Sequence, residues 1–198
     1  MSKSFNLSLE RVHCNSQTAL EWGSDEMYLV GFGISKSGDR FTIKPRSLGS
    51  FDAGDTSSSG YPKGLVDIQV PDSESLVSTC IWLFERDSGD VAGAGNELEA
   101  DFNSSMDFYL AASANLGLSS DARQYFAFGR AMHASQFGLE RNSDDLLQWI
   151  YHDHLPVEHR PGRNSSTYEL TYHFQGASYT LTFRYVLGPP VPVIVAPD

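Results

Sequence analysis

Cysteine is scarce in this chain, which has only Cys14 and Cys80 among its 198 residues. Two cysteines are too few for a disulfide scaffold, so we expect both to be buried thiols, while a bridge between them stays open. A chain of this length also has little need of such staples, because it buries enough apolar surface to fold without them.

Positive charge is scarce as well. Lys and Arg together number 14 against 25 Asp and Glu, which gives a formal net charge of −11. A phosphate backbone would be repelled overall, and no local cluster of Lys and Arg offsets that repulsion. The composition therefore argues against nucleic acid as a partner.

Long apolar runs are absent. No apolar stretch approaches the ~20 residues that a transmembrane helix needs. The first ten residues alternate polar and apolar side chains and lack the apolar block of a signal peptide. We therefore expect no transmembrane segment and a protein that is cytoplasmic as synthesised, with signal-independent export left open.

The motifs of several enzyme classes are also missing. The chain has no Gly-x-Ser-x-Gly elbow, no phosphate-binding loop and no dinucleotide-binding glycine pattern. His13 and Cys14 are adjacent, but neighbours on a strand point to opposite faces and do not form a thiol–imidazole pair. These absences favour a protein that is not an enzyme.

Alternation of polar and apolar residues indicates several strands. Phe5, Leu7 and Leu9 share one face near the start of the chain, and 167–174 and 178–186 alternate throughout, as in a hairpin. About seven short strands with Ser- and Gly-rich turns predict an antiparallel β-sandwich. We assign the sandwich to one domain, 1–187, followed by a Pro-rich extended tail at 188–198. The segment 47–63 has no periodicity and is predicted to be a loop.

Residues 91–150 differ in character and are predicted to form a helical insertion between two strands. Apolar residues fall at helical spacing from Phe102 onward, a second helix is predicted over 121–137, and a third helical piece over 144–151. The second helix is rich in aromatic side chains. We expect them to cover the open face of the sandwich; the alternative is an apolar surface for a partner protein or a membrane.

Three acidic segments stand beside predicted strands. Calcium takes about six to eight oxygen ligands, and carboxylates from several loops at one end of a sandwich provide them. The segments therefore predict a calcium site if they meet; the alternative is that each is a solvated turn. The candidate ligands are Asp25, Glu26, Glu85, Asp87, Asp90, Asp144 and Asp145.

These segments also resemble a known pattern. GSDE at 23–26 opens an apolar strand, ERD at 85–87 closes another, and DDL follows at 144–146. The pattern is similar to that of small bacterial C2-like β-sandwich proteins. The resemblance does not include the helical insertion. It implies a C2-like fold whose members often bind calcium in loops at one end and then engage lipid head groups or proteins. The resemblance implicates the same candidate calcium ligands with the exception of Glu26.

A second constellation consists of His152, His154 and His159. His152 and His154 are two residues apart and share one face of an extended segment, so His159 or Glu158 would complete a zinc site with an open position. Such a site activates water for hydrolysis. Pro156 predicts a loop here, and the alternative is a surface histidine cluster.

The sequence thus predicts a non-enzymatic binding module, modulated by calcium, for a lipid or protein surface. Two alternatives stay open. One is a membrane-acting toxin or secreted effector component, which the aromatic insertion and the Pro-rich tail motivate. The other is a metal-dependent hydrolase that uses the three histidines.

Overall fold

A computed structural model describes most of the chain, namely residues 2–17, 25–57, 60–86, 91–139, 145–155, 165–174 and 176–188. For a few of these it describes the backbone alone, namely 91–95, 136–139, 145–148 and 174. The predicted tail beyond residue 188 lies outside the described residues.

The described residues form eight strands and two α-helices. The strands are β1 (Ser2–Ser16), β2 (Asp25–Ser35), β3 (Arg40–Phe51), β4 (Lys63–Pro71), β5 (Val77–Glu85), β6 (Asp145–His154), β7 (Ser166–Phe174) and β8 (Ala177–Gly188). The helices α1 (Val91–Ala112) and α2 (Ser120–Leu139) lie between β5 and β6 in the sequence. The first sheet has the order β4-β1-β8-β7 and the second β3-β2-β5-β6, with antiparallel pairing throughout. The predicted β-sandwich with a helical insertion is confirmed.

The main core lies between the two sheets and follows the alternation of the sequence. Phe5, Leu7 and Leu9 of β1 point inward and are fully buried, and Leu181 and Phe183 of β8 join them from the neighbouring strand. Burial of such side chains contributes about 1.5–3 kcal/mol each. The polar residues between them face outward, as is typical of an antiparallel sheet with one solvated face.

The second sheet is buried on both faces because the two helices cover its outer face. Phe32 of β2 stacks on Phe102 of α1, with ring centroids 4.1 Å apart, and meets Trp82 of β5 edge-on at 5.4 Å. Phe128 of α2 meets Phe102 edge-on at 5.6 Å. The helical insertion thus covers the open sheet face, as predicted for its aromatic residues.

The two cysteines are free and buried, as predicted. Cys14 lies in the main core between the sheets, whereas Cys80 lies on the second sheet beneath the helices. A sheet therefore separates the two thiols, and they are not bridged.

Four local predictions are wrong. Residues 145–154 form β6 and not a third helix, since they pair with β5 along its whole length. The last helix of the insertion accordingly ends at Leu139, and the insertion does not extend to residue 150. His152 and His154 lie on a strand and not in a loop. Residues 47–51 belong to β3 because Leu48 and Phe51 are buried in the main core.

A buried carboxylate joins two turns at one end of the sandwich. Glu74 is 3% exposed and accepts hydrogen bonds from the backbone N–H of Ser37 at 3.0 Å, from the Ser37 hydroxyl at 2.9 Å, and from the N–H groups of Ser75 and Leu76. Burial alone would raise the pKa of Glu74, but these hydrogen bonds outweigh it and lower the pKa. The carboxylate thus connects the turn after β2 with the turn before β5.

Glu74→Gln is expected to lower the free energy of unfolding by about 2 kcal/mol, because hydrogen bonds to a charged acceptor are lost. Since the folded pKa is depressed, the contribution of Glu74 is present above the unfolded pKa of 4.5 and is lost as the pH falls through the folded value. Urea unfolding at neutral pH measures the change. Asp72→Asn, an exposed carboxylate in the same turn, is the matched control. Equal stability of the two variants would remove this role from Glu74.

Candidate functional site at the acidic end of the sandwich

The second sheet places three acidic residues at one end of the sandwich. β2 begins at Asp25, β5 ends at Glu85 and β6 begins at Asp145. The strand register pairs Met27 with Glu85 and Glu85 with Asp145. Antiparallel pairing therefore brings the three segments predicted from the sequence to the same end, which we call the acidic pole.

Asp25 is turned into the sandwich. Its side chain is 1% exposed and accepts a hydrogen bond from the hydroxyl of Tyr179 on β8. Because Tyr179 belongs to the first sheet, this bond ties the two sheets together at the acidic pole. Burial and the contact with Asp25 raise the pKa of Tyr179. The hydroxyl therefore stays protonated and donates the hydrogen bond to Asp25.

Glu85 lies on the same inner side and is 2% exposed. Met27 lies two residues after Asp25 on β2, and Leu83 lies two residues before Glu85 on β5; both are in the main core. Because side chains alternate along a strand, Asp25 and Glu85 also face the inside of the sandwich. Diagonal neighbours of an antiparallel pair are about 7–8 Å apart. Two ionised carboxylates at this separation repel each other, and a cation between them would offset the repulsion.

Glu26 faces the other side of the sheet. It forms an ion pair with Arg86, whose backbone N–H also donates to the carbonyl oxygen of Glu26 at 2.8 Å. The pair borders a cavity of about 140 Å³ that Ser47 and Ser50 of β3 also line. An exposed ion pair of this kind contributes little stability. Glu26 is therefore separated by the sheet from the two inward carboxylates.

Sequence reasoning missed two further aspartates of the acidic pole. Asp52 directly follows Phe51, which pairs with Asp25, and the carbonyl oxygen of Asp55 accepts the N–H of Cys14 at 2.9 Å. Burial and the negative charges of Asp25, Asp55 and Asp52 raise the pKa of Cys14. An Asp-x-Gly-Asp turn after an apolar strand end was the available signal.

The remaining acidic candidates, Asp87, Asp90 and Asp144, lie outside the described residues. The side chain of Asp145 is likewise not described. Among the residues that the structure does describe, no group of three or more His, Cys, Asp or Glu is arranged to hold a metal ion. Asp25 and Glu85 alone therefore do not make a coordination shell.

The histidine candidates lie at the other end of β6. His154 is fully buried between the sheets, with its ring 5.1 Å from that of Phe5 and 4.7 Å from that of Tyr185. Its Nε2 is 2.9 Å from the hydroxyl of Thr79. Burial, and to a lesser degree the neighbouring His152, lower the pKa of His154 to about 3. The imidazole is therefore neutral at physiological pH.

His152 shares this face of β6, as predicted, and stacks on Tyr168 with centroids 3.8 Å apart. His159 lies outside the described residues. A catalytic zinc centre keeps one coordination position open to water. Two rings packed among aromatic side chains between the sheets do not favour such a centre.

Comparisons with known proteins give only distant similarities. No family model matches the chain, and no curated protein matches its sequence. The chain is similar to the structure of human GIVD cytosolic phospholipase A2 in complex with methyl gamma-linolenyl fluorophosphonate, with a TM-score of 0.40 and 8% identity, over 96% of this chain and 17% of that one. It is also similar to a structure described as a C2 domain, with a TM-score of 0.38 and 10% identity, over 94% of this chain and 98% of that one.

The chain thus spans less than a fifth of the phospholipase. Both TM-scores are low, so these similarities carry no argument about the function of this chain. Neither helix in the described part of the chain is long and apolar enough to cross a membrane.

Proposed function

We propose that this protein is a non-enzymatic, C2-like binding module whose acidic pole binds calcium and thereby engages a lipid or protein surface. The observation that carries the proposal is the pair of buried carboxylates, Asp25 and Glu85, on the inner side of one end of the sandwich. Tyr179 donates a hydrogen bond to Asp25. Two carboxylates held this close repel each other when both are charged, and calcium bound between them would offset that repulsion.

Additional ligands would come from segments that continue these strands in the sequence. Asp87 and Asp90 follow β5 directly, and Asp144 precedes β6. Together with Asp25 and Glu85 they would offer enough carboxylate oxygens for the about six to eight positions around calcium.

Calcium at the acidic pole would also change which surfaces the protein can approach. The chain carries a net charge of −11 and would be repelled by anionic lipid head groups. A bound cation is the largest local charge of its site and reverses that repulsion locally. Binding to an anionic surface would therefore depend on calcium.

Isothermal titration with calcium tests the proposal. We expect heat of binding and a higher melting temperature with calcium, and we expect Asp87→Asn to weaken binding by about tenfold or more, because one charged ligand is lost. Asp72→Asn is the matched control: it removes the same charge from the turn after β4, at the opposite end of the sandwich, and is expected to leave binding unchanged. Absence of both heat and thermal shift would overturn the proposal.

Sedimentation with phosphatidylserine vesicles then identifies the surface. Calcium-dependent sedimentation that Asp87→Asn abolishes supports lipid binding through the acidic pole. Sedimentation without calcium would point instead to the end of α1 and the connection to α2, where Phe108 of α1 and Leu116 and Leu118 of the connection are exposed. That connection lies at the opposite end, since Arg40, beside the β2–β3 turn, pairs with Asp107 of α1.

A further inference from the structure

The outer face of the first sheet carries polar side chains in a regular arrangement across β1, β8 and β7. Antiparallel register aligns six of them in two adjacent rows, and none is Lys or a large apolar residue. We call this set the polar grid: Arg11–Thr182–Glu169 in one row and His13–Thr180–Thr171 in the next.

A cavity of about 340 Å³ lies over the polar grid. Arg11, His13, Glu169 and Thr180 line it, and Thr56 forms a further part of its wall. Thr56 reaches this position because the segment after β3 runs beside β1 and pairs with His13 in an isolated bridge. The volume lies at the lower end of the ~300–1,000 Å³ that is usual for small-molecule sites. An ordinary solvated sheet face has no such wall.

The lining side chains form hydrogen bonds with neighbouring groups. Nη2 of Arg11 donates to Oε1 of Glu169 at 3.0 Å, and Nδ1 of His13 lies 2.8 Å from the hydroxyl of Thr56. Nδ2 of Asn15 donates to the hydroxyl of Thr180 at 3.0 Å. Among the residues that the structure describes, these bonds leave the remaining guanidinium nitrogens, Nε2 of His13 and Oε2 of Glu169 for a ligand. Because these contacts form without a ligand, fewer groups would have to rearrange when a ligand binds.

The charges of the cavity favour a neutral ligand. Arg11 and Glu169 neutralise each other within it, and the net charge of −11 repels anions from the protein as a whole. A guanidinium only donates hydrogen bonds, a carboxylate only accepts them, and hydroxyl and imidazole groups do both. Adjacent sugar hydroxyls both donate and accept, so they match this alternation, whereas an apolar ligand would leave the polar groups unsatisfied.

We propose that the polar grid binds a neutral saccharide, with one ring over Thr180 between Arg11, Glu169 and His13. The site lies on the outer face of the first sheet and requires no calcium, so it stands whether or not the acidic pole binds the ion.

A printed array of oligosaccharides, probed with the full chain in the presence of a chelator, identifies neutral glycans that bind. NMR titration with the methyl glycosides of glucose, galactose and mannose then locates the site. We expect the largest amide shifts at the residues that line the cavity. Arg11→Gln is expected to weaken binding by about tenfold or more, since its hydrogen bonds are charge-assisted. Thr180→Val is expected to weaken it by about fivefold.

Thr167→Val is the matched control, because Thr167 is exposed on the same face of β7 but pairs with Arg184, away from the cavity. It is expected to bind like the unmodified protein, and thermal melts verify that each variant is folded. Two results would overturn the proposal. One is that no neutral glycan binds on the array and no methyl glycoside shifts the lining residues. The other is that only anionic glycans or inorganic phosphate bind there.

Discussion

Phe32→Ala is expected to lower the free energy of unfolding by about 3–5 kcal/mol. Phe32 is 1% exposed and contacts both Phe102 of α1 and Trp82 of β5. Loss of its ring removes apolar burial and leaves a cavity where the second sheet meets the helical insertion. Guanidinium unfolding, followed by circular dichroism, measures the change.

Phe108→Ala is the control for this prediction. Phe108 lies on α1 but is 66% exposed, so the same substitution is expected to change the stability by less than about 0.5 kcal/mol. If the Phe32 variant were as stable as the Phe108 variant, the helices would not be packed on the sheet as described. The comparison thus tests the second core directly.

Acidification from pH 7.5 to pH 4.5 is expected to lower the free energy of unfolding by about 3 kcal/mol through His154 alone. The unfolded pKa of this residue is 6.5, and each pH unit below it contributes about 1.36 kcal/mol. Burial holds the folded pKa at about 3, so between these values the unfolded chain binds a proton that the folded chain excludes. The stabilisation is complete above pH 6.5 and is lost as the pH falls. Burial also lowers the pKa of His152, which acts in the same direction.

Guanidinium unfolding at the two pH values measures this effect, and His154→Phe isolates it. A phenyl ring suits the surroundings of Phe5, Tyr168 and Tyr185, although it loses the contact with Thr79. We expect the variant to lose most of the pH dependence, whatever its absolute stability. His133→Phe, at an exposed position on α2, is expected to retain it. An unchanged pH dependence in the His154 variant would contradict the assignment.

The sequence predicts strands well where one face is solvated. β1 and the hairpin of β7 and β8 have this property, so their alternation is visible in the sequence. The prediction fails for β6, where Trp149 packs towards the helices and Ile150 towards the main core. A strand covered on both sides loses its alternation, and its apolar residues then fit helical spacing equally well.

The candidate site was predictable only in part, because a sequence indicates which strand ends are acidic but not which side they face. Asp25 points into the sandwich and Glu26 out of it, although they are adjacent. One partner of Asp25 is Tyr179, which lies 154 residues later and on the other sheet. Contacts between sheets depend on topology, and local patterns do not carry that information.

The most direct test of the calcium proposal is an NMR titration of the ¹⁵N-labelled chain with calcium. We expect the largest amide shifts to cluster at the acidic pole, at Asp25, Asp52, Glu85 and Asp145, and we expect Asp72 and the turn around Ser37 to remain unaffected. Unchanged spectra at saturating calcium, or shifts centred on that opposite end, would contradict the proposal.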